Sequence, residues 1–284
     1  MKRFSILVAV GLVLSLISLV LGSCAPAETA QLKVVTSTSL IAQIVERVGG
    51  DKVSVVNIIP AAQCPGHFDV KPGDIQKLAD AKLFIIHNWQ GEKFSEDLIA
   101  SANNDNLTVV KIELPGNWMT PPVQRDATDK IAAALAQIDP DNSAVYQKAA
   151  TEYKAEVTAK ESEINTKLSQ MNLSAVNVLC DEQQAGFVEW AGLHIIATYG
   201  RPETLTIQVK KDLIDKGREG MVTLVIDNMQ TGGEPGKESG QSLSEELGCK
   251  RITLSNFPGG FSNTETWEKA IDYNIDQILT AVAK

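Results

Sequence analysis

Beyond residue 31, two different patterns of apolar and polar residues alternate along this chain. Short runs rich in Val, Ile and Leu predict β-strands, and the segments between them have the apolar spacing of amphipathic helices. This alternation is typical of parallel sheets with helices packed on their faces. The predicted strands are residues 32–36, 53–59, 83–87, 107–114, 176–179, 195–199, 222–226 and 251–254.

Residues 123–171 interrupt the alternation, because they contain no strand-like run. A helix is predicted for 127–138, and a second helix for 143–171 would be on the order of 40 Å long. That length suits a bridge between two lobes, although an exposed surface helix fits its many charges as well. The other predicted helices are residues 40–48, 73–81, 92–102, 185–191, 209–216, 240–247 and 264–282.

The pattern therefore predicts an α/β fold with two lobes. Each lobe has a mostly parallel sheet flanked by helices, and one long backbone helix joins them. We expect an N-terminal lobe at residues 32–122, a helical segment at 123–171 and a C-terminal lobe at 172–284.

The first 24 residues form a targeting segment. A basic start at residues 1–3 precedes the apolar run 4–20, and Leu-Gly-Ser-Cys ends the segment at Cys24. This predicts a signal peptide at 1–23, and its ending resembles a bacterial lipobox, which implies lipidation of Cys24. Residues 24–31 are then a tether, and the protein is extracytoplasmic and lipid-anchored to the cell membrane. The alternative is a lone transmembrane anchor, for which the apolar run is at the short limit.

The charge of the chain, its motifs and its cysteine and histidine counts limit the functions that we expect. The formal net charge is −9, from 26 basic and 35 acidic residues, which argues against nucleic acid as a partner. No nucleophile elbow, zinc-protease motif or phosphate-binding glycine loop is present, so we do not expect an enzyme. With Cys24 lipidated, three cysteines remain, and at least one of them is free, metal-bound or paired outside the chain. Three histidines argue against a site made of histidine alone.

Polar and aromatic residues gather after the predicted strands. In open parallel sheets, ligands bind beyond the carboxyl ends of the strands, so these residues are predicted to line a cleft between the lobes. The predicted cleft residues are Ser39, His87, Trp89, Trp118, Glu182, Arg201 and Phe257.

The Cys64-Pro-Gly-His67 turn is the sharpest metal-binding candidate, because a thiolate and an imidazole three residues apart can chelate one ion. Cys180, with the adjacent Asp181, and Asp227 follow strands of the other lobe and are further candidate ligands. Each of these residues also has a structural interpretation. Cys64 and Cys180 could be buried thiols, and Asp227 could cap a turn. Cys64 and Cys180 could also form a disulfide with each other. Cys249 lies at the opposite edge and is interpreted as structural.

Several segments, taken in order, resemble the substrate-binding lipoproteins of zinc and manganese ABC importers. They are the strand and helix at residues 34–45, the turn at 49–53, the stretch 67–75 and the segment 135–142. The resemblance covers essentially the whole mature chain. It implies two lobes that close on a metal ion, delivery to a membrane permease, and a monomer.

Only some of the family's metal-ligand positions hold a possible metal ligand in this chain. His67 falls on the family's first metal histidine, but the second position falls near Gly116 and the third at Cys180 and Asp181. The closing carboxylate falls at Asp227 or near Ser255. One hypothesis is a rebuilt site of Cys64, His67, Cys180 and a carboxylate from Asp181 or Asp227. Its two thiolates would favour zinc or another soft or borderline ion over manganese, so the expected transported ligand is zinc or another divalent transition metal.

Two alternatives use the same fold. In one, Arg201 and the aromatic residues hold a chelated or organic ligand instead of a bare ion. In the other, the protein is a surface adhesin-type lipoprotein.

Overall fold

The computed structural model describes residues 31–89, 92–232 and 239–283. The predicted signal peptide and Cys24 lie outside the described residues. From Leu32 onwards the chain forms a single compact unit by its internal contacts. Among the described residues, none of the helices has both the length and the apolar composition needed to cross a bilayer.

The N-terminal lobe is built on a four-stranded parallel sheet of order β2-β1-β3-β4. Helix α1 ends where the sequence turns at Gly49-Gly50, and Gly50 has the positive φ of 52° that favours glycine. The strands are β1 Leu32–Thr36, β2 Val53–Asn57, β3 Leu83–Ile86 and β4 Thr108–Lys111, and the helices are α1 Ser39–Gly49, α2 Pro72–Ala79 and α3 Phe94–Ala102.

Two helices follow this lobe, α4 Pro121–Ile138 and α5 Ser143–Leu168. Helix α5 has 26 residues and contacts both lobes. Its Tyr153 hydroxyl accepts hydrogen bonds from Gln43 of α1 and Gln124 of α4, both at 2.9 Å. Further along, the Lys160 ammonium lies 2.9 Å from the Asp272 carboxylate in the final helix of the chain. The long helix is therefore a bridge between the lobes rather than a surface addition.

The C-terminal lobe repeats the same topology, with the strand order β6-β5-β7-β8 and all pairs parallel. The sequence shows no repeat between the lobes. The strands are β5 Asn177–Asp181, β6 His194–Tyr199, β7 Leu224–Asn228 and β8 Lys250–Leu254, and the helices are α6 Ala185–Trp190, α7 Ile207–Glu219, α8 Met229–Gly232, α9 Gly240–Leu247 and α10 Trp267–Val282.

One large hydrophobic cluster joins the two lobes through the long helix, and a smaller cluster lies on the other face of each sheet. Trp267 at the start of α10 is fully buried in the large cluster and donates its indole N–H to the Met119 carbonyl at 3.0 Å. Burial of this continuous apolar surface is the main force that holds the lobes together. The predicted α/β fold class is confirmed.

Two strands of the C-terminal lobe extend beyond their predicted carboxyl ends. Strand β5 includes Cys180 and Asp181, and β7 includes Asp227 and Asn228, although all four were predicted to follow their strands. The parallel pairing of β5 with β6 continues through Cys180 and Asp181, and that of β7 with β8 continues through Asp227 and Asn228. The side chains of Cys180, Asp181 and Asp227 therefore belong to strands of the sheet and not to the loops that follow them.

Candidate functional site

A cavity of about 1110 Å³ lies between the carboxyl ends of the two sheets. Strand order reverses between β1 and β3 in one sheet and between β5 and β7 in the other, which are the switch points where α/β proteins bind ligands. Residues after every strand line it. They are Leu40, Cys64, Pro65, Gly66, Phe68, Trp89, Lys93, Phe94, Gly116, Asn117, Trp118, Glu182, Gln183, Gly186, Gly200, Arg201, Thr204, Asn228, Gln230, Thr231, Asn256 and Phe257.

Polar contacts tie the two walls of this cavity together. Ser39, a predicted cleft residue, donates its hydroxyl to the Pro258 carbonyl at 2.7 Å across the lobes. Asn117 donates its side-chain amide to the Gln183 carbonyl at 3.1 Å and to the Asn256 side chain at 2.8 Å. These hydrogen bonds between uncharged groups hold the two lobes together beside the cavity.

Aromatic rings form one wall of the cavity. The His87 ring stacks on Trp89 at a centroid distance of 3.7 Å and 4° between planes, and Trp118 meets His87 edge-on at 4.2 Å. Phe257 of the other lobe lies 6.5 Å from Trp89 with 22° between the ring planes. Of the predicted cleft residues, Trp89, Trp118 and Phe257 line the cavity, whereas His87 lies behind Trp89.

His87 supports this wall as a neutral ring. It is fully buried, and burial lowers the pKa of its imidazole well below 6.5. Its Nε2 lies 2.7 Å from the Thr38 hydroxyl. Within the described part of the chain, the His87 Nδ1 has no hydrogen-bond partner.

Glu92 fixes the loop that carries Trp89. Its carboxylate accepts hydrogen bonds from the Ser37 hydroxyl, from the Asn88 N–H at 2.6 Å and from the Trp89 N–H at 3.3 Å. Burial raises the pKa of Glu92, and these hydrogen bonds oppose that rise. The sequence analysis missed this role, because Glu92 was predicted to start a helix; the signal was an acidic residue just after a loop of polar and aromatic residues.

Two cations reach the cavity. Arg201 is half-buried and Lys93 is exposed, and neither has an ion pair among the described residues. The Arg201 guanidinium lies against Gly66 of the other lobe, where a Cβ atom would be 2.7 Å from one guanidinium nitrogen and 2.9 Å from the other. Glycine at position 66 therefore lets the guanidinium approach the opposite wall. Glu182, also a predicted cleft residue, adds a carboxylate to the lining.

The two cysteines that were predicted as thiolate ligands differ in their access to the cavity. Cys64 lines the cavity and is 6% exposed, whereas Cys180 is fully buried in the large hydrophobic cluster. Burial, with the charges of Asp181 and Glu189, raises the pKa of the Cys180 thiol to about 12. A thiol must be deprotonated to bind a metal, so Cys180 is not placed to act as a ligand. Both cysteines are free thiols, which corrects the disulfide alternative.

The two predicted carboxylate ligands are used within the C-terminal lobe. Asp227 accepts hydrogen bonds from the Tyr199 hydroxyl at 2.8 Å and the Gly240 N–H at 2.7 Å, and it pairs with Arg251 at 2.9 Å. Burial raises the pKa of Asp227, and these three contacts oppose the rise. We call Asp181, Tyr199, Asp227 and Arg251 the buried carboxyl cluster.

Asp181 belongs to the same cluster. Its carboxyl accepts a hydrogen bond from the Gln183 N–H at 2.8 Å. Burial, together with the charges of Asp227 and Glu182, raises its pKa to about 7. Neither Asp181 nor Asp227 lines the cavity.

His67 lies at the surface. Its side chain is 49% exposed, and its Nε2 is 3.5 Å from the Glu203 carboxylate, which itself is 54% exposed. Among the described residues, no group of three or more His, Cys, Asp and Glu side chains is arranged to hold a metal ion. The structure therefore does not assemble the predicted set of Cys64, His67, Cys180 and a carboxylate.

Two α/β lobes that share one ligand-sized cavity define a two-lobed substrate-binding protein. The family model ZnuA, zinc-uptake complex component A periplasmic, matches residues 34–281. The chain belongs to this family, whose members are substrate-binding transport proteins and not enzymes. The predicted resemblance is confirmed, and so is the expectation that the protein is not an enzyme.

Curated relatives agree with this assignment. The metal ABC transporter substrate-binding lipoprotein SsaB of Streptococcus sanguinis is 24% identical over 290 residues, covering 92% of each chain. The manganese ABC transporter substrate-binding lipoprotein PsaA of Streptococcus pneumoniae (TIGR4) is 24% identical, covering 96% of this chain and 98% of the relative.

Solved structures share the fold. A ZnuA deletion mutant with zinc bound gives a TM-score of 0.74 at 20% identity, covering 90% of this chain and 99% of that chain. FpvC of Pseudomonas aeruginosa in complex with Ni²⁺ gives a TM-score of 0.75 at 18% identity, covering 89% and 97%.

Proposed function

We propose that this protein is the extracytoplasmic substrate-binding lipoprotein of an ABC importer for a divalent transition metal. It holds its substrate in the cavity between the lobes and delivers it to a membrane permease, while a lipid on Cys24 keeps it at the membrane. The observation that carries the proposal is the cavity itself, lined from every strand of both sheets in a chain of this family. Similar lipoproteins are named for manganese in Streptococcus pneumoniae and for iron in Streptococcus pyogenes, and two similar solved structures hold zinc and nickel.

The choice of zinc rested on two thiolates. Burial raises the pKa of the Cys180 thiol to about 12, and among the described residues Cys64 is the one cysteine that lines the cavity, so the preference for zinc that two thiolates would give is lost. We therefore state the proposal for a divalent transition metal as a class.

The experiment is metal accumulation in cells with and without the gene. Manganese, iron, nickel and zinc are measured by elemental mass spectrometry after growth in metal-poor medium, with each metal supplied as its chloride and as a chelate. We expect deletion to lower the accumulation of one metal, and the wild-type gene to restore it. Unchanged accumulation of all four metals in both forms would reject the proposal.

A Cys24→Ser variant tests the anchor in the same cells. Because the signal peptide is cleaved only after Cys24 is lipidated, this variant should keep residues 1–23, whereas the wild-type protein should lose them and carry a lipid mass on Cys24, as measured by intact-mass spectrometry. A wild-type chain that keeps residues 1–23 and carries no lipid would show that residues 4–20 act as an uncleaved anchor instead.

A further inference from the structure

We propose that the substrate enters this cavity as a metal chelate with a planar aromatic carboxylate, and not as a bare ion. The inference rests on the proposed function and specifies the chemical form of its substrate. Three features of the described residues carry it: the donors that the cavity lacks, the unpaired guanidinium of Arg201, and the aromatic wall.

The donor set argues against a bare ion. Protein sites for divalent transition metals supply about three or four His, Cys or carboxylate ligands at about 2 Å. Among the described residues no such group exists, and Cys64 and Glu182 are the described lining residues of those types. The cavity of about 1110 Å³ is instead slightly larger than the range of about 300–1,000 Å³ that is typical of sites for organic ligands. A metal that arrives with its own organic ligands needs few donors from the protein.

Arg201 provides the anchor for a carboxylate. Its guanidinium is half-buried, lies against Gly66 and has no ion pair or side-chain hydrogen bond among the described residues. A guanidinium presents a planar fork of N–H donors that matches a carboxylate in two parallel hydrogen bonds. Lys93, likewise without an ion pair in the described part of the chain, adds a second positive charge to the lining.

The aromatic wall provides the surface for a planar group. Trp89 is 37% exposed and is backed by the neutral His87 ring at 3.7 Å, so the indole is held in place. Phe257 of the other lobe lies 6.5 Å away with 22° between the ring planes, but it is buried, so Trp89 presents the exposed face of this wall. Planar rings stack favourably on such faces.

Glu182 favours a chelate over a free organic anion. Its carboxylate belongs to the lining, and a Cβ atom on Gly200, the neighbour of Arg201, would lie 3.7 Å from it. A free polyanion would be repelled by this carboxylate. In a chelate the metal offsets the negative charge of the organic ligand, so one wall can carry both Arg201 and Glu182.

The test is calorimetric titration of the full-length lipoprotein in detergent with three probes. These are zinc chloride, pyridine-2,6-dicarboxylate, and their 1:1 complex. We expect the complex to bind at least about tenfold more tightly than either component alone. Arg201→Ala should weaken the binding of the complex by roughly 10- to 100-fold.

Three further variants sharpen the test. Arg201→Lys keeps the charge and loses the fork, so it should recover only part of the affinity. Gly66→Ala displaces the guanidinium and should weaken binding in the same direction. Arg218→Ala is the matched control: it also removes one positive charge from the C-terminal lobe, but from a surface pair with Asp215 at 3.9 Å, and it should bind the complex like wild type. Circular dichroism checks that each variant is folded.

Zinc chloride that binds as tightly as the complex, and keeps its affinity in Arg201→Ala, would overturn the inference. A complex that does not bind the wild-type protein would overturn it as well. The proposed function is judged separately, because metal accumulation in cells is measured with both forms of each metal and does not depend on these titrations.

Discussion

In the C-terminal lobe, Arg251 lies beside the buried Asp227 carboxylate, while Arg201 lies beside a glycine across the cavity. The first arginine completes the buried carboxyl cluster, in which Asp227 also accepts hydrogen bonds from Tyr199 and Gly240. The second has no ion pair among the described residues. An internal counterion is used to hold a lobe together, whereas a cation left without one at a cavity is free to bind a ligand.

The buried carboxyl cluster and the cavity lining therefore differ in what a substitution should change. Changes in the cluster should lower the free energy of unfolding, and changes in the lining should lower affinity for the substrate. The following predictions test that separation.

Asp227→Ala should have the largest effect on stability. It removes the carboxylate that pairs with Arg251 at 2.9 Å and accepts two further hydrogen bonds, in a site where Asp227 is 1% exposed. We expect the free energy of unfolding to fall by about 3 kcal/mol in urea denaturation. Asp215→Ala, which breaks a surface pair with Arg218 at 3.9 Å, should change it by less than about 0.5 kcal/mol.

Arg201→Ala is the counterpart on the cavity side. Because Arg201 has no ion pair within the described residues, the free energy of unfolding of the Arg201→Ala variant should stay within about 0.5 kcal/mol of the wild-type value. A loss as large as that of Asp227→Ala would mean that Arg201 is structural, and the comparison would fail.

The raised pKa of Asp181 predicts that the free energy of unfolding depends on pH. Its pKa is raised to about 7 by burial, so between pH 4 and 7 the folded protein binds more protons at this site than the unfolded chain. This group therefore makes the folded state less stable as pH rises, on the order of 2 kcal/mol between pH 5 and pH 8. Asp181→Asn should remove that decline, as measured by urea denaturation at the two pH values. An identical decline in the variant would show that Asp181 is not the group responsible.

Cys180 and Cys64 form a matched pair. Cys180→Ser places a hydroxyl in the apolar core and should cost about 1–2 kcal/mol, whereas Cys64→Ser faces the cavity and should cost less. Urea denaturation measures both. In the native protein Cys180 should resist thiol-labelling reagents, because its pKa is about 12 and it is fully buried. Rapid labelling of Cys180 would contradict the burial described above.

His67→Ala should have the smallest effect. The His67–Glu203 pair is about half exposed on both sides, so the free energy of unfolding should change by less than about 0.5 kcal/mol. Affinity for the zinc complex of pyridine-2,6-dicarboxylate should stay within about twofold. A tenfold loss of affinity for zinc chloride would instead restore His67 as a metal ligand.

Much of the fold could be predicted because periodicity is a local property. Strand β1 and helix α9 have the predicted bounds, and the long helix begins at the predicted Ser143. The ends of β5 and β7 were missed since Asp181 and Asp227 looked like loop residues. Their partners lie far along the chain, such as Arg251 for Asp227, and a single sequence does not reveal such pairs.

The site could be predicted only in part for the same reason. The strand-end rule located the cavity and five of its predicted residues, Trp89, Trp118, Glu182, Arg201 and Phe257. Residue type alone did not separate the carboxyls that are paired internally from Arg201, which has no ion pair among the described residues. That distinction depends on burial and on contacts between the lobes, such as that of Arg201 with Gly66.

The central claim is that this cavity holds a metal together with an organic ligand. Native mass spectrometry of the lipoprotein, isolated in detergent from cells that supply its natural substrate, measures the bound mass directly. The account predicts a mass increment equal to a metal plus at least one organic acid, lost in Arg201→Ala and kept in Arg218→Ala. An increment of a single metal ion, unchanged in Arg201→Ala, would contradict it.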